Sequence, residues 1–126
     1  MGIQNFSEDT LLVELPPKEP RIANELRRVN ELVSNKDNCN VIMDFSKVEI
    51  VSSASISNLM ILREMLSGSG HQLVLCSVSL PVKGVFTVTG LEALFDFTDD
   101  KSTALESIGR VKHPAYSRST ENPEPA

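Results

Sequence analysis

Apolar residues along this chain alternate between two periods. Thr10-Leu11-Leu12-Val13-Glu14-Leu15 is a short, nearly continuous apolar run closed by Pro16-Pro17, which predicts a strand. Pro20 then stands where a helix would open. Ile22, Leu26, Val29, Leu32 and Val33 follow at helical spacing, with Arg27, Arg28 and Glu31 on the other side. The polar stretch Ser34-Asn35-Lys36-Asp37-Asn38 ends that helix and leads into a second strand, Asn40 to Phe45. A turn and a further apolar run, Val48-Glu49-Ile50-Val51, come next. Ile56, Leu59, Met60, Arg63 and Leu66 mark a second helix, stopped by Ser67-Gly68-Ser69-Gly70. The segment His71 to Val78 is apolar after its first two residues, which predicts a central strand covered on both faces. Pro81 opens a short helix through Val82, Val85 and Phe86, ended by Gly90. Leu91 to Phe97 leads to an edge element, and Asp99 or Asp100 caps a last helix carrying Ala104, Leu105 and Ile108. Strands interleaved with helices predict an α/β sandwich around a small, mostly parallel β-sheet. No internal repeat is visible.

The ends of the chain read differently from its middle. Residues 1–8 are expected to be an N-terminal extension, 9–112 the domain, and 113–126 a disordered tail without an apolar face. The N-terminal residues show neither a basic region nor an apolar stretch, so no secretory signal is expected there. Gly2 fits myristoylation, but position six, where a hydroxyl is expected, holds Phe6. No apolar run approaches the roughly 20 residues that span a bilayer, so no direct membrane insertion is expected.

The 126 residues suit one domain, and 40% of them are apolar, enough for a core. The net charge is −5, with Lys and Arg scattered, so no basic face marks a nucleic-acid partner. Absence of Trp and a single Tyr also disfavour base stacking. Cys39 and Cys76 sit beside or within apolar strands; their count allows one disulfide, but they are expected to be two buried thiols in a reducing, cytoplasmic compartment.

The residues most suggestive of function lie after Val51. Ser52, Ser53, Ser55 and Ser57 surround the start of the second helix, where backbone N–H groups lack intrahelical partners and the dipole is positive. Such an elbow suits an anion, a phosphoryl group or a partner surface. The plainer reading is that Ser52 or Ser53 is an N-cap. Catalytic sets are missing: His71 and His113 have no nucleophile and orienting group around them in sequence, and no metal-ligand spacing occurs. Ser67-Gly68-Ser69-Gly70 follows a helix and lacks the Lys-Ser/Thr ending of a phosphate loop. Asp99-Asp100 is explained by capping, and Met43, Met60 and Met65 by the core. No enzyme activity and no cofactor are expected.

Element order and motifs together resemble the STAS family, the sulfate-transporter and anti-sigma-factor-antagonist domain, over residues 9 to 110. Asp44-Phe45-Ser46-Lys47-Val48-Glu49-Ile50-Val51 is similar to the family's Asp-Leu-Ser-x-Val-x-apolar-apolar pattern. Ser52-Ser53-Ala54-Ser55 falls where the family has Asp-Ser-Ser/Thr-Gly. Leu73 to Ser79 and Val85 to Phe95 match its later strand, short helix and Gly-Leu-x-x-x-Phe. The resemblance implies a regulatory binding module like an anti-sigma factor antagonist, docking on an anti-sigma factor or a GHKL-type serine kinase. In those antagonists the third motif residue is the phosphorylated Ser or Thr. Continuous register puts Ala54 there; a shift by one would make Ser53 the acceptor. Ser52 replaces the motif aspartate and Ser55 the motif glycine. The implied contact surface is Ser52, Ser53, Ser55, Ser57 and Asn58. The alternative is a STAS subunit of a membrane transport assembly, held against an ABC transporter ATPase; a small-ligand or nucleotide-binding domain is a third. The chain is also expected to pass directly from its first strand to the Pro20 helix, where many relatives place a second hairpin strand.

Overall fold

The computed structural model describes residues 2–7, 9–35 and 39–111. In chain order the elements are β1 (Gly2–Ser7), β2 (Thr10–Glu14), α1 (Arg21–Asn35), β3 (Asn40–Asp44) and α2 (Ser53–Gly68). They continue with β4 (Leu73–Cys76), α3 (Leu80–Val88), a 3-10 turn (Glu92–Leu94), β5 (Asp96–Thr98) and α4 (Lys101–Val111). The five strands lie in the order β1-β2-β3-β4-β5. β2 to β5 are parallel and β1 is antiparallel to β2, so the sheet is mostly parallel as expected.

Each crossover adds the next strand on the same side of the previous one. Right-handed crossovers in one direction put all their helices on one face. Accordingly α1, α2 and α3 cover one face through Leu11, Val13, Val41, Met43, Leu73 and Leu75. The alternate residues Leu12, Ile42, Val74 and Cys76 meet α4 on the other face, at Ala104 and Ile108. This double coverage is why the strands read as apolar runs without alternation. Helix α4 is fastened at its start: the Lys101 ammonium lies 3.9 Å from Glu14 and 3.8 Å from Asp44. Of the two candidate caps, Asp100 serves, its Oδ1 accepting the Thr103 N–H at 2.8 Å.

Helix endings follow the glycines. Gly70 and Gly90 have φ of +79° and +76°, a region that costs glycine nothing. Past them, the His71 N–H reaches the Leu66 carbonyl and the Leu91 N–H the Phe86 carbonyl, each at 2.8 Å, satisfying end carbonyls. Along α1, Ile22, Leu26, Val29 and Val33 are buried, but Leu32 is 45% exposed and falls outside the packed stripe.

Residues 1–8 were expected to lie outside the domain; instead Gly2–Ser7 form β1 and hairpin onto β2. The chain does run directly from β2 to α1, but the hairpin strand precedes β2. The register slips between Asn5 and Ser7. In the sequence Ile3 and Phe6 stand three residues apart with polar Gln4 and Asn5 between them, so no period-two pattern announces the strand. The expected tail, 113–126, lies outside the described residues.

Candidate functional site

The elbow is built by a turn whose apolar residues, not its polar ones, fix its path. Phe45, Val48 and Val51 are all buried in the core shared with α1 and α2. The Asp44 carboxylate accepts the Ser46 N–H at 2.9 Å, and the Val48 N–H returns to the Phe45 carbonyl at 3.0 Å. The Glu49 N–H reaches the Pro17 carbonyl at 3.0 Å, pinning the turn to the segment ahead of α1. Ile50 is left outside, 56% exposed.

Ser52 is the N-cap of α2, with φ −94° and ψ 168°, and its hydroxyl accepts the Ser55 N–H at 3.2 Å. A residue that sequence reasoning did not single out completes the arrangement. One oxygen of Glu19 accepts the Ser52 N–H at 2.9 Å and the Ser55 hydroxyl at 2.5 Å. The other accepts the Ala23 N–H, at 3.1 Å, in the first turn of α1. One carboxylate therefore serves the starts of two helices, both places where negative charge is favoured. Burial works to raise the Glu19 pKa. Hydrogen bonds from the Ser55 hydroxyl, the Ser52 N–H and side chain, and the Ala23 N–H outweigh it and hold the carboxyl below its ordinary value. In the sequence Glu19 is only a carboxylate before a proline-opened helix; its partners at Ser52 and Ser55 are 33 and 36 positions away.

The implied contact surface is accordingly redistributed. Ser55 is fully buried and spends its hydroxyl on Glu19, so it is an internal strut and not a surface contact. Asn58 is half-buried: its amide donates to the Ala54 carbonyl at 3.0 Å, and it accepts from Asn30 of α1 at its carbonyl and side chain. Ser52 is half-buried as the cap. What faces outward is Ser53, Ala54 and Ser57, with Ile50 before them and the half-exposed Ile61 one turn on. Ser53 and Ala54 are neighbours in the first turn, Ala54 with no hydroxyl.

Other chemistry is sparse. His71 sits at the far end of α2, its Nδ1 3.2 Å from the Ser69 hydroxyl, and shares nothing with the elbow. His113 is outside the described residues. Cys39 and Cys76 are both buried. Burial, and then the charge of Asp44, push the Cys76 thiol up to about 11. Among the described residues no cluster of His, Cys, Asp and Glu could hold a metal ion, and no helix is long and apolar enough to cross a membrane. A cavity of about 140 Å³ lies between Val78, Lys83, Phe97, Thr98 and Asp99. That is well below the roughly 300 Å³ at which small-molecule sites begin.

The alternation of parallel strands with helices, and the capped elbow after β3, define a STAS-type fold. The STAS domain family model matches residues 21–104, and the chain belongs to that family. Among solved structures, it is similar to a Thermotoga maritima protein assigned as an anti-sigma factor antagonist. The TM-score is 0.67 at 18% identity, over 86% of this chain and 93% of that one. The anti-sigma factor antagonist SpoIIAA, in its unphosphorylated form, superposes with a TM-score of 0.68 at 18% identity, over 89% and 96% of the two chains. A sulfate transporter family protein of Wolinella succinogenes gives 0.73 at 19% identity, over 88% and 93%.

Proposed function

We propose that this chain is a non-catalytic regulatory module that docks on a protein partner through the elbow, in the manner of an anti-sigma factor antagonist. The partner in this reading is an anti-sigma factor or a GHKL-type serine kinase. The supporting observation is the first turn of α2: small residues Ser53, Ala54 and Ser57 face outward, while the Glu19 carboxylate locks the turn from behind. Small side chains let a partner's backbone approach closely, and the serine hydroxyls offer hydrogen bonds. No described nucleophile, base and orienting group stand together, which supports a binding role.

In continuous register with the family, Ala54 holds the phosphoacceptor position and cannot be phosphorylated. Partner affinity is then insensitive to kinase and ATP. Incubation with kinases of the host and ATP, followed by intact-mass and fragment-ion analysis, is expected to leave the protein unmodified; stoichiometric phosphate on Ser53 would show that the register shifts by one. Ala54→Asp is expected to weaken partner binding about tenfold or more, because a charge placed in an interface loses its water without gaining a counter-ion. The fold should be unaffected, since the dipole interaction is favourable and only about 0.3–1 kcal/mol. Unchanged binding by Ala54→Asp would remove the elbow from the interface.

A second reading is a STAS subunit of a membrane transport assembly, seated against an ABC transporter ATPase. It uses the same exposed face and needs no phosphoacceptor. Binding assays with a purified GHKL-type kinase and a purified ABC transporter ATPase from the same host separate the two.

A further inference from the structure

β1 is the outer strand of the sheet, and no described residue pairs along its far side. An edge strand presents a row of unsatisfied N–H and C=O groups, and natural sheets blunt it with shortness, charge, proline, bulges or a covering element. The opposite edge is treated in that way. β5 has three residues, Asp96, Asp99 and Asp100 are exposed in and after it, and α4 packs on it. β1 is treated otherwise. Gly2-Ile3-Gln4-Asn5-Phe6-Ser7 contains no charge and no proline. Its irregularity falls after Asn5, so Gly2 to Asn5 keep an unbroken register with β2 and present an ordinary ladder outward. Gln4 is exposed along that stretch.

The charge of the molecule says what fits there. At −5, two copies repel wherever acidic faces meet. β1 is neutral, so antiparallel pairing of two β1 strands sets no like charges against each other. Antiparallel pairing also sends the two Asp9 turns to opposite ends of the shared ladder. Because the two edges of the sheet differ, pairing at β1 uses the open edge of both copies and leaves only the blunted β5 edges outside. The contact is isologous and closes at two copies instead of running into a filament.

We propose that two copies of this chain associate through antiparallel β1 strands, continuing one sheet into the other. β2 lies between β1 and the β3–α2 elbow, so each copy keeps its elbow for another protein.

Sedimentation velocity and light scattering on the full chain, from low to high micromolar concentration, are expected to show a reversible species of twice the chain mass. Gln4→Lys and Gln4→Glu each place a charge near the same charge on the second copy, and each should weaken self-association about tenfold. Mixing the two variants should restore the dimer, a rescue that a change in folding alone could not give. Circular dichroism confirms that both variants fold. A wild-type monomer at every concentration, or a dimer indifferent to both variants and to their mixture, would overturn the proposal. So would a monomer that instead adds an uncharged extended peptide at this edge, which would assign β1 to strand addition from a different protein.

Discussion

Replacing Glu19 with alanine is expected to lower the unfolding free energy by about 2–3 kcal/mol, read from urea denaturation at neutral pH. The carboxylate takes the Ser52 N–H, the Ser55 hydroxyl and the Ala23 N–H. Hydrogen bonds to a charged group contribute about 1.5–3 kcal/mol each, but Glu19 is half-exposed and water competes for it, so the sum is discounted. The largest single loss is at Ser55. Its hydroxyl is fully buried, and without Glu19 it keeps only a 3.5 Å contact with the Ser52 hydroxyl. Glu19→Gln preserves the shape and one acceptor, and should cost less than half as much. The dependence on pH has a definite sign. The folded-state pKa lies below the ordinary 4.5, so the stabilisation is complete above pH 4.5 and is lost as the pH falls through the folded value. The gap between wild type and Glu19→Gln should therefore be constant near neutrality and close in acid. A gap unchanged down to acid pH would mean that the charge of Glu19 contributes nothing.

Phe86→Ala should cost more, about 3–5 kcal/mol. The Phe86 ring is completely buried and meets Phe95 and Phe97 edge-on, at 5.4 and 5.6 Å between centroids. These contacts join α3 to the segment ahead of β5 and to β5 itself, where no long ladder helps: β5 has only three residues. Truncation removes the ring's transfer energy, opens a cavity and strips two aromatic contacts. Thermal melting should fall by about 10–20 °C. Phe86→Leu, which refills most of the volume, should recover more than half of the loss. If Phe86→Ala melted within a few degrees of wild type, the cluster would not be what holds β5.

The elements of this fold were legible where packing imposes a period. α1 declared itself through Ile22, Leu26, Val29 and Val33, and the central strands through runs that only a sheet covered on both faces tolerates. β1 was not legible, because its two large apolar residues, Ile3 and Phe6, stand three apart with no period of two. At the elbow, the cap was readable from composition, since Ser52 precedes an apolar period. The roles of its neighbours were not. Ser53 and Ser55 look alike in a sequence, yet one faces outward and the other is buried. Which is which depends on helix phase relative to the core and on a carboxylate 36 positions earlier. Glu19 was invisible for the same reason: its meaning lies in contacts across chain distance, and nothing local to the Glu19–Pro20 step announces them.

Among the described residues, three helices roof one face of the sheet, whereas α4 alone closes the other over Leu12, Ile42, Val74 and Cys76. Lifting that one helix would open this face while the packing of the three helices on the opposite face stays in place. Of the two thiols, Cys39 belongs to the three-helix side and only Cys76 lies under α4. Burial, and then the charge of Asp44, favour the protonated thiol, so Cys76 is a poor nucleophile while α4 covers it. A thiol-trapping reagent added to the folded protein is therefore expected to label Cys76 when the α4 face opens and Cys39 only when the three-helix face does.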